Sequence, residues 1–362
     1  MAIPCKNLLI IMAAVLFSLS LPAQTEVSKK ISKTYDMTSA GELYLDNKYG
    51  DVTIQGWKKN SISILVEITV THKKKENAED LLSRISPNIK VINNFISVSS
   101  DIAEKSTGFF AKYFNKANPF DFDRSNVQIN YTVNLPAKAE LEIINKFGDV
   151  IVEDYSGKLK LDAQHGDVWI NENLNNADVN LRYGKLRAES INYGSIRLKN
   201  GSLNLEKSKD LRLNSSGSNI DIETVTALEI YSSKDEITID EVESIQGSLE
   251  FTNMQLNNVD DQINLGMKIA DFKVLEVHSA DASIVIHQES SEISLNVDGF
   301  SFNFDATLEE GLVRLPKSFE NVHTKMLDKG KRIREITAKY GNDTQGKISI
   351  TGEKGVILLK EF

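Results

Sequence analysis

Apolar and polar positions alternate in short triplets along most of this chain. Leu159-Lys160-Leu161, Val179-Asn180-Leu181, Leu211-Arg212-Leu213 and Leu228-Glu229-Ile230 each set two apolar side chains on one face of an extended segment and one polar side chain on the other. Turn motifs alternate with these triplets, and the turns resemble one another. Asn47-Lys48-Tyr49-Gly50-Asp51-Val52-Thr53-Ile54 returns as Asn145-Lys146-Phe147-Gly148-Asp149-Val150-Ile151-Val152. Weaker copies follow at His165-Gly166-Asp167-Val168, Arg182-Tyr183-Gly184-Lys185, Asn200-Gly201-Ser202-Leu203 and Ser216-Gly217-Ser218-Asn219. Gly148, Gly166 and Gly184 are 18 residues apart, so one period holds two strands, each with its own turn. The glycine is expected to supply a positive φ, and the neighbouring Asp to hydrogen-bond its own turn.

Strands this short cannot bury an apolar face alone. Stacked coil on coil at about 4.8 Å, they build one narrow continuous core. The pattern therefore predicts a mainly β chain, a parallel β-solenoid or β-helix of short strand-turn repeats. An antiparallel sandwich of regular strands is the alternative, but it has no need to repeat its turn chemistry. The flanks read differently. A longer strand runs over 61–71, a helix over 73–86 with Ala78, Leu81, Leu82 and Ile85 on one stripe and Pro87 closing it, and further strands over 89–99 and 127–133. This block predicts a small α+β N-terminal cap. Residues 309–336 read as an irregular excursion with a short helix near Met326, before strands at 347–350 and 356–359.

The first 23 residues change the picture of where the chain acts. Lys6, the apolar run from Leu8 to Phe17 and Leu21-Pro22-Ala23 before Gln24 form a secretory signal-peptide pattern. Ser18, Ser20 and Pro22 interrupt the run before the roughly 20 apolar residues a membrane span needs. The organisation expected is thus a signal peptide at 1–23, a cap region at 24–136, repeats at 137–308, and the excursion with terminal strands at 309–362. The single cysteine, Cys5, lies in the signal segment, so neither a disulfide framework nor a thiolate metal site is expected after cleavage. An exported protein without a transmembrane segment follows, placed in the periplasm, at the outer-membrane surface or outside the cell.

The Asn-Lys-Tyr-Gly-Asp-Val repeat, the signal segment and the strand-helix-strand opening resemble the bacterial putative-adhesin domain proteins. The resemblance runs from Asp46 to the C-terminus and is strongest at 47–54 and 127–170. It weakens after Ser216, where Gly-Asp becomes Gly-Ser or Asp-Glu and the aromatic before Gly is lost. It implies a parallel β-solenoid, export from a Gram-negative cell and an envelope or surface role, with no catalytic residues to transfer.

The chain holds 42 Lys and Arg against 51 Asp and Glu, a formal charge of −9, which argues against a nucleic-acid partner. His72, His165, His278, His287 and His323 form no HExxH motif or close pair, and no nucleophile elbow, P-loop or dinucleotide fingerprint occurs. Asp51, Asp149 and Asp167 could stack into a calcium ladder, but the dense glycine nonapeptide of calcium solenoids is missing, so turn capping is the reading taken. Asp221, Glu223, Glu229, Asp240 and Glu241 are the acids that a polysaccharide-active β-helix enzyme could use, and nothing in the sequence singles out a pair among them. No cofactor, metal or catalytic residue is expected. The candidate binding residues are Phe109, Phe110, Tyr113 and Phe114, one aromatic face if that segment is helical, with Phe120 and Phe122 beyond. They read either as an insertion or docking loop for a protein partner, glycan or lipid surface or as a plug over the open end of the core. The leading function is a non-enzymatic adhesin or binding scaffold whose partner is a protein or glycan of the envelope. The alternative, which the family resemblance alone implies, is a periplasmic accessory of envelope-stress or anti-sigma signalling, and the polysaccharide enzyme stands third.

Overall fold

The computed structural model describes residues 25–102, 126–342 and 345–361. The signal segment, Cys5 and the aromatic candidates Phe109, Phe110, Tyr113 and Phe114 lie outside the described residues, as do Phe120, Phe122 and Phe362.

The described chain is mainly β, with 25 strands in one open, mixed sheet and one helix among the described residues, Lys75–Arg84. Its central strands pair in parallel. Leu161 sits beside Val179, Val179 beside Ile196, Ile196 beside Leu213 and Leu213 beside Ile230, advances of 18, 17, 17 and 17 residues. Each advance carries the chain through a strand, a turn and a second strand, so one chain passage forms one rung. The inward side chains stack into apolar columns, for example Leu186, Leu203, Ile220 and Ile237, all buried. A third column, Ile191, Ser208, Val225, Val242 and Val259, lines another side of the same core. The sequence triplets extend into strands of fifteen residues, such as Ser202–Ser216, because the segment between two triplets also joins the parallel ladder.

The sheet departs from uniform parallel pairing at both ends. Thr25–Asp36, whose pairing the triplet pattern did not signal, runs antiparallel to Ser61–His72, which in turn runs antiparallel to Val127–Pro136. The helix packs against the first two of these strands through buried Ala78 and Leu81. It ends at Arg84, and Pro87 lies inside the next strand, Ile85–Ile92, instead of closing the helix. The strand expected over 89–99 is two strands, because Asn93 takes a φ of 53° and folds Ile85–Ile92 back on Phe95–Ile102. No helix forms near Met326. Glu320–Asp328 is a strand, paired antiparallel with Ile333–Tyr340.

The C-terminal strands are out of chain order. Gly346–Glu353 lies between Ser283–Glu289 and Phe302–Glu309, and Val356–Lys360 lies between Glu292–Asn296 and Leu312–Arg314. The chain leaves one rung vacant and returns through the antiparallel hairpin to fill it.

Candidate binding edge

The turns of all twelve rungs share one corner. In stacking order the corner residues are Tyr49, Phe147, His165, Tyr183, Asn200 and Gly217, then Lys234, Phe251, Ile269, Ser290, Lys354 and Glu310. Each takes a left-handed φ, from 48° at Ile269 to 69° at Tyr49. In the first eleven, the N–H donates to the carbonyl just before the next turn, as from Phe147 to Gln164 and from His165 to Arg182, and in the twelfth Glu310 donates to Arg332 of the antiparallel hairpin. A non-glycine residue in this region is uncommon, and a bulky one is an outlier that surrounding structure must hold. Here the rung-to-rung bond is what holds it.

This reverses the expected division of labour in the turn. The residue before glycine carries the positive φ, and Gly50, Gly148, Gly166 and Gly184 themselves lie outside the left-handed region. These glycines are needed for space. A Cβ on Gly148 would collide with the carbonyl oxygen of Gly50, one on Gly166 with that of Gly148, and one on Gly184 with that of Gly166. The aspartates likewise reach past their own turns. Asp51 Oδ1 accepts the N–H of Asp149 at 2.8 Å, Asp149 Oδ1 that of Asp167 at 2.8 Å, and Asp167 Oδ1 that of Lys185 at 2.9 Å. They tie rung to rung, so the turn-capping reading is right in kind and wrong in partner.

The four aromatic corner rings form a continuous stack. Tyr49 to Phe147, Phe147 to His165 and His165 to Tyr183 have centroid separations of 5.6, 5.1 and 4.7 Å and interplanar angles of 14°, 3° and 3°. The rings cover one another's faces and present their edges outward. Farther along the corner, Phe251 and Ile269 are about half exposed, as are Phe147 and Tyr183. Exposed large apolar groups in a row are unusual on a soluble surface and mark sites of association.

A charged column runs beside this corner, one residue earlier in each rung. Its first five members are Lys48, Lys146, Gln164, Arg182 and Lys199. Ser216 and Ser233 occupy the middle. Its last five are Glu250, Lys268, Glu289, Glu353 and Glu309. Lys48 lies over the Tyr49 ring at 5.0 Å, Arg182 pairs with Asp162 at 3.4 Å, and Lys268 pairs with Glu289 at 3.2 Å.

Of the acids that an enzyme reading would use, Asp221 and Glu223 lie on Asn219–Ser233 and Asp240 and Glu241 on the adjacent Glu236–Glu250, where Asp221 sits beside Thr238 and Glu241 beside Thr224. Asp221 lines a shallow groove of 510 Å³ with Glu236, Thr238, Gln255 and Lys273. Glu229 lies elsewhere, bonded by the Tyr231 hydroxyl at 2.8 Å and facing Arg212, and it raises the Tyr231 pKa. Glu241 accepts from Thr224, and Asp240 from Asn257. Among the histidines, only His165 joins the corner. His278 sits between Asp260 and Glu276, His287 bonds Thr351, and His72 accepts the Lys74 N–H. Among the described residues no group of three or more His, Cys, Asp and Glu is placed to hold a metal ion. The corner itself escaped the sequence reading as a site. The aromatic before each glycine was its signal, but only stacking shows that these side chains form one edge.

No family model matches the chain, and no curated protein matches it. Solved structures do. One described as a "putative adhesin" from Parabacteroides merdae is 16% identical over 75% of this chain and 92% of its own, with a TM-score of 0.32. A "putative adhesin" from Bacteroides fragilis is 12% identical over 92% of this chain and 97% of its own, with a TM-score of 0.27. A "putative lipid binding protein" from Parabacteroides distasonis is 13% identical over the same shares, with a TM-score of 0.28.

Proposed function

We propose that this protein is a non-enzymatic, exported β-solenoid that serves as an adhesin or binding scaffold of the bacterial cell envelope. Residues 1–23 are its signal peptide, 24–136 its cap region and first rung, 137–308 its repeats, and 309–362 the terminal hairpin and closing strands. The observation that carries the reading is the unbroken corner of twelve turns. Ordinary surface turns are mobile and vary in conformation. These are fixed to one another by a backbone bond between successive rungs, and they hold half-exposed Phe147, Tyr183, Phe251 and Ile269 in line. Preorganised side chains lose less conformational freedom on contact, which favours binding.

Two experiments test it. An internally tagged chain in its native cells is treated with protease before and after permeabilisation. Digestion in intact cells is the expected result, and protection until permeabilisation would put the periplasmic signalling accessory in its place. Beads coated with purified protein are then applied to cells. Phe147→Asn with Phe251→Asn should weaken attachment about tenfold while the melting temperature stays within a few degrees. Unchanged attachment would exclude the corner as the contact surface.

A further inference from the structure

The charged column beside the corner changes sign along the stack. Its first five positions hold four cations and no acid, and its last five hold four glutamates and one lysine. The surrounding chain changes sign later: residues 137–181 hold 4 Lys and Arg against 9 Asp and Glu, 182–212 hold 8 against 3, and 213–310 hold 3 against 20. Within the column itself, one half is the electrostatic complement of the other half.

We propose that the turn edge is the interface of an antiparallel dimer, with a second copy of this chain as its occupant. This rests on reading the corner as a binding surface. A two-fold axis that brings corner to corner and runs the copies in opposite directions sets each column against itself in reverse order. The first rung then meets the twelfth, the second the eleventh, and so on to the middle. Lys48 faces Glu309, Lys146 faces Glu353, Gln164 faces Glu289, and Lys199 faces Glu250. Ser216 faces Ser233, so the neutral pair falls at the two-fold axis.

The fourth rung meets the ninth with like charges, Arg182 and Lys268. Each is already paired within its own chain, with Asp162 and Glu289. At the same level the corner sets half-exposed Tyr183 against half-exposed Ile269, so apolar contact is available where charge opposes. On the other flank of the corner, Lys185 meets Asp271 and Asp167 meets Glu292, one opposed and one like pair, which leaves the sign-changing column to set direction. The edge is roughly 50 Å long at about 4.8 Å per rung, and the symmetry repeats every cross-pair twice.

A linear polyanion lying on the cationic half is the competing occupant. It would meet Asp51, Asp149 and Asp167 across the ring stack, and it would leave the acidic half unused. A parallel dimer is also opposed in the test. There the column would face the opposite flank, and Lys146 would lie against Asp149 of its own rung.

The test is sedimentation equilibrium of the full exported chain at low and high salt, with Lys146→Glu, Glu353→Lys and the double variant. A dimer whose dissociation constant rises with salt is expected for the wild type. Each single reversal should weaken it at least about tenfold, and the double variant should recover to within about threefold, because opposite charges again face each other in both copies. Circular dichroism melting of all variants should match the wild type, since both side chains point away from the core. A wild type that is monomeric at every salt concentration overturns the dimer. So does a double variant no better than the singles, or rescue of Lys146→Glu by Asp149→Lys instead. Dextran sulfate binding by a monomeric wild type would assign the edge to a polyanion. Bead attachment by a monomeric wild type would defeat the dimer while leaving the scaffold function intact.

Discussion

Rungs one to four and rungs five to ten meet the same requirement with ladders of opposite direction. In both, the amides at the corner must be satisfied while neighbouring turns lie close together. In the early rungs the glycine leaves no side chain, and the next residue, Asp, reaches outward to the following rung: Asp51 to Asp149, Asp149 to Asp167, Asp167 to Lys185. In rungs six, seven, eight and ten the glycine position itself gains an oxygen that turns inward and accepts from the preceding rung. Ser218 takes the N–H of Gly201, Asp235 that of Ser218, Thr252 that of Asp235, and Ser291 that of Ala270.

The inward ladder needs polar room in the core. Ser215 and Ser232 stand where rungs four and five have Leu181 and Leu198, and both donate to Asp235 at 2.6 Å. A Ser-for-Leu exchange that looks like loss of core is thus the condition for a buried carboxylate, since a buried charge is tolerated only when its hydrogen bonds are made. The early rungs have their own buried polar feature in Asn47 and Asn145. Asn47 Nδ2 donates to Asn145 Oδ1 at 3.0 Å, and Asn145 Nδ2 donates to the Gly148 carbonyl at 2.8 Å.

The contrast can be broken at either ladder. The largest effect is expected from Gly166→Ala, whose Cβ strikes the Gly148 backbone, which cannot yield as a side chain would; about 3 kcal/mol should be lost in urea unfolding. A loss below ~0.5 kcal/mol would show that the glycine serves only local turn freedom. Next comes Asp235→Ala, which strands the Ser215 hydroxyl and the N–H of Ser218 and leaves the Ser232 hydroxyl to Thr252, at about 2 kcal/mol. The companion change Ser215→Leu with Ser232→Leu in the Asp235→Ala background should recover part of that loss, converting a late rung to the apolar interior of rungs four and five.

Asp149→Ala should cost about 1 kcal/mol, because the Asp167 amide it serves is near enough to solvent to be hydrated. Faster amide exchange at Asp167, and not at Asp235, would separate the two ladders. The smallest effect concerns the terminal hairpin. The N–H groups of Lys331 and Gly330 hold the Asp328 carboxyl below its usual value. A depressed folded value means that the stabilisation is present above the unfolded value and is lost as pH falls through the folded one. The Gly330 and Lys331 amide resonances should therefore move on acidification in the wild type and stay still in Asp328→Asn.

The triplets and the recurring Gly turn were enough to read a mainly β chain with two apolar triplets per period and an apolar interior, because the alternation of two is a local property of extended backbone; the two strands expected per period are one continuous strand in the central rungs. The helix stripe at Ala78 and Leu81 was legible for the same reason. Its end was not, since Pro87 is accommodated in a strand whose pairing partner, Phe95–Ile102, lies beyond a turn that only Asn93 marks. The pairing of Thr25–Asp36 and the placement of Gly346–Glu353 between strands that precede it in the chain depend on partners 25 or more residues away, and alternation carries no information about partners.

The binding edge divides in the same way. Its components were visible one by one: an aromatic, a glycine, an aspartate, a flanking cation. Sequence determined that each turn would be tight and each strand two-faced. Tertiary structure alone decided that the residue before glycine bears the strained φ, that glycine is there for the next backbone, and that twelve such turns fall on one line. Those properties arise from contact between rungs about 4.8 Å apart, and the chain brings such rungs together from as far as Tyr49 and Phe147.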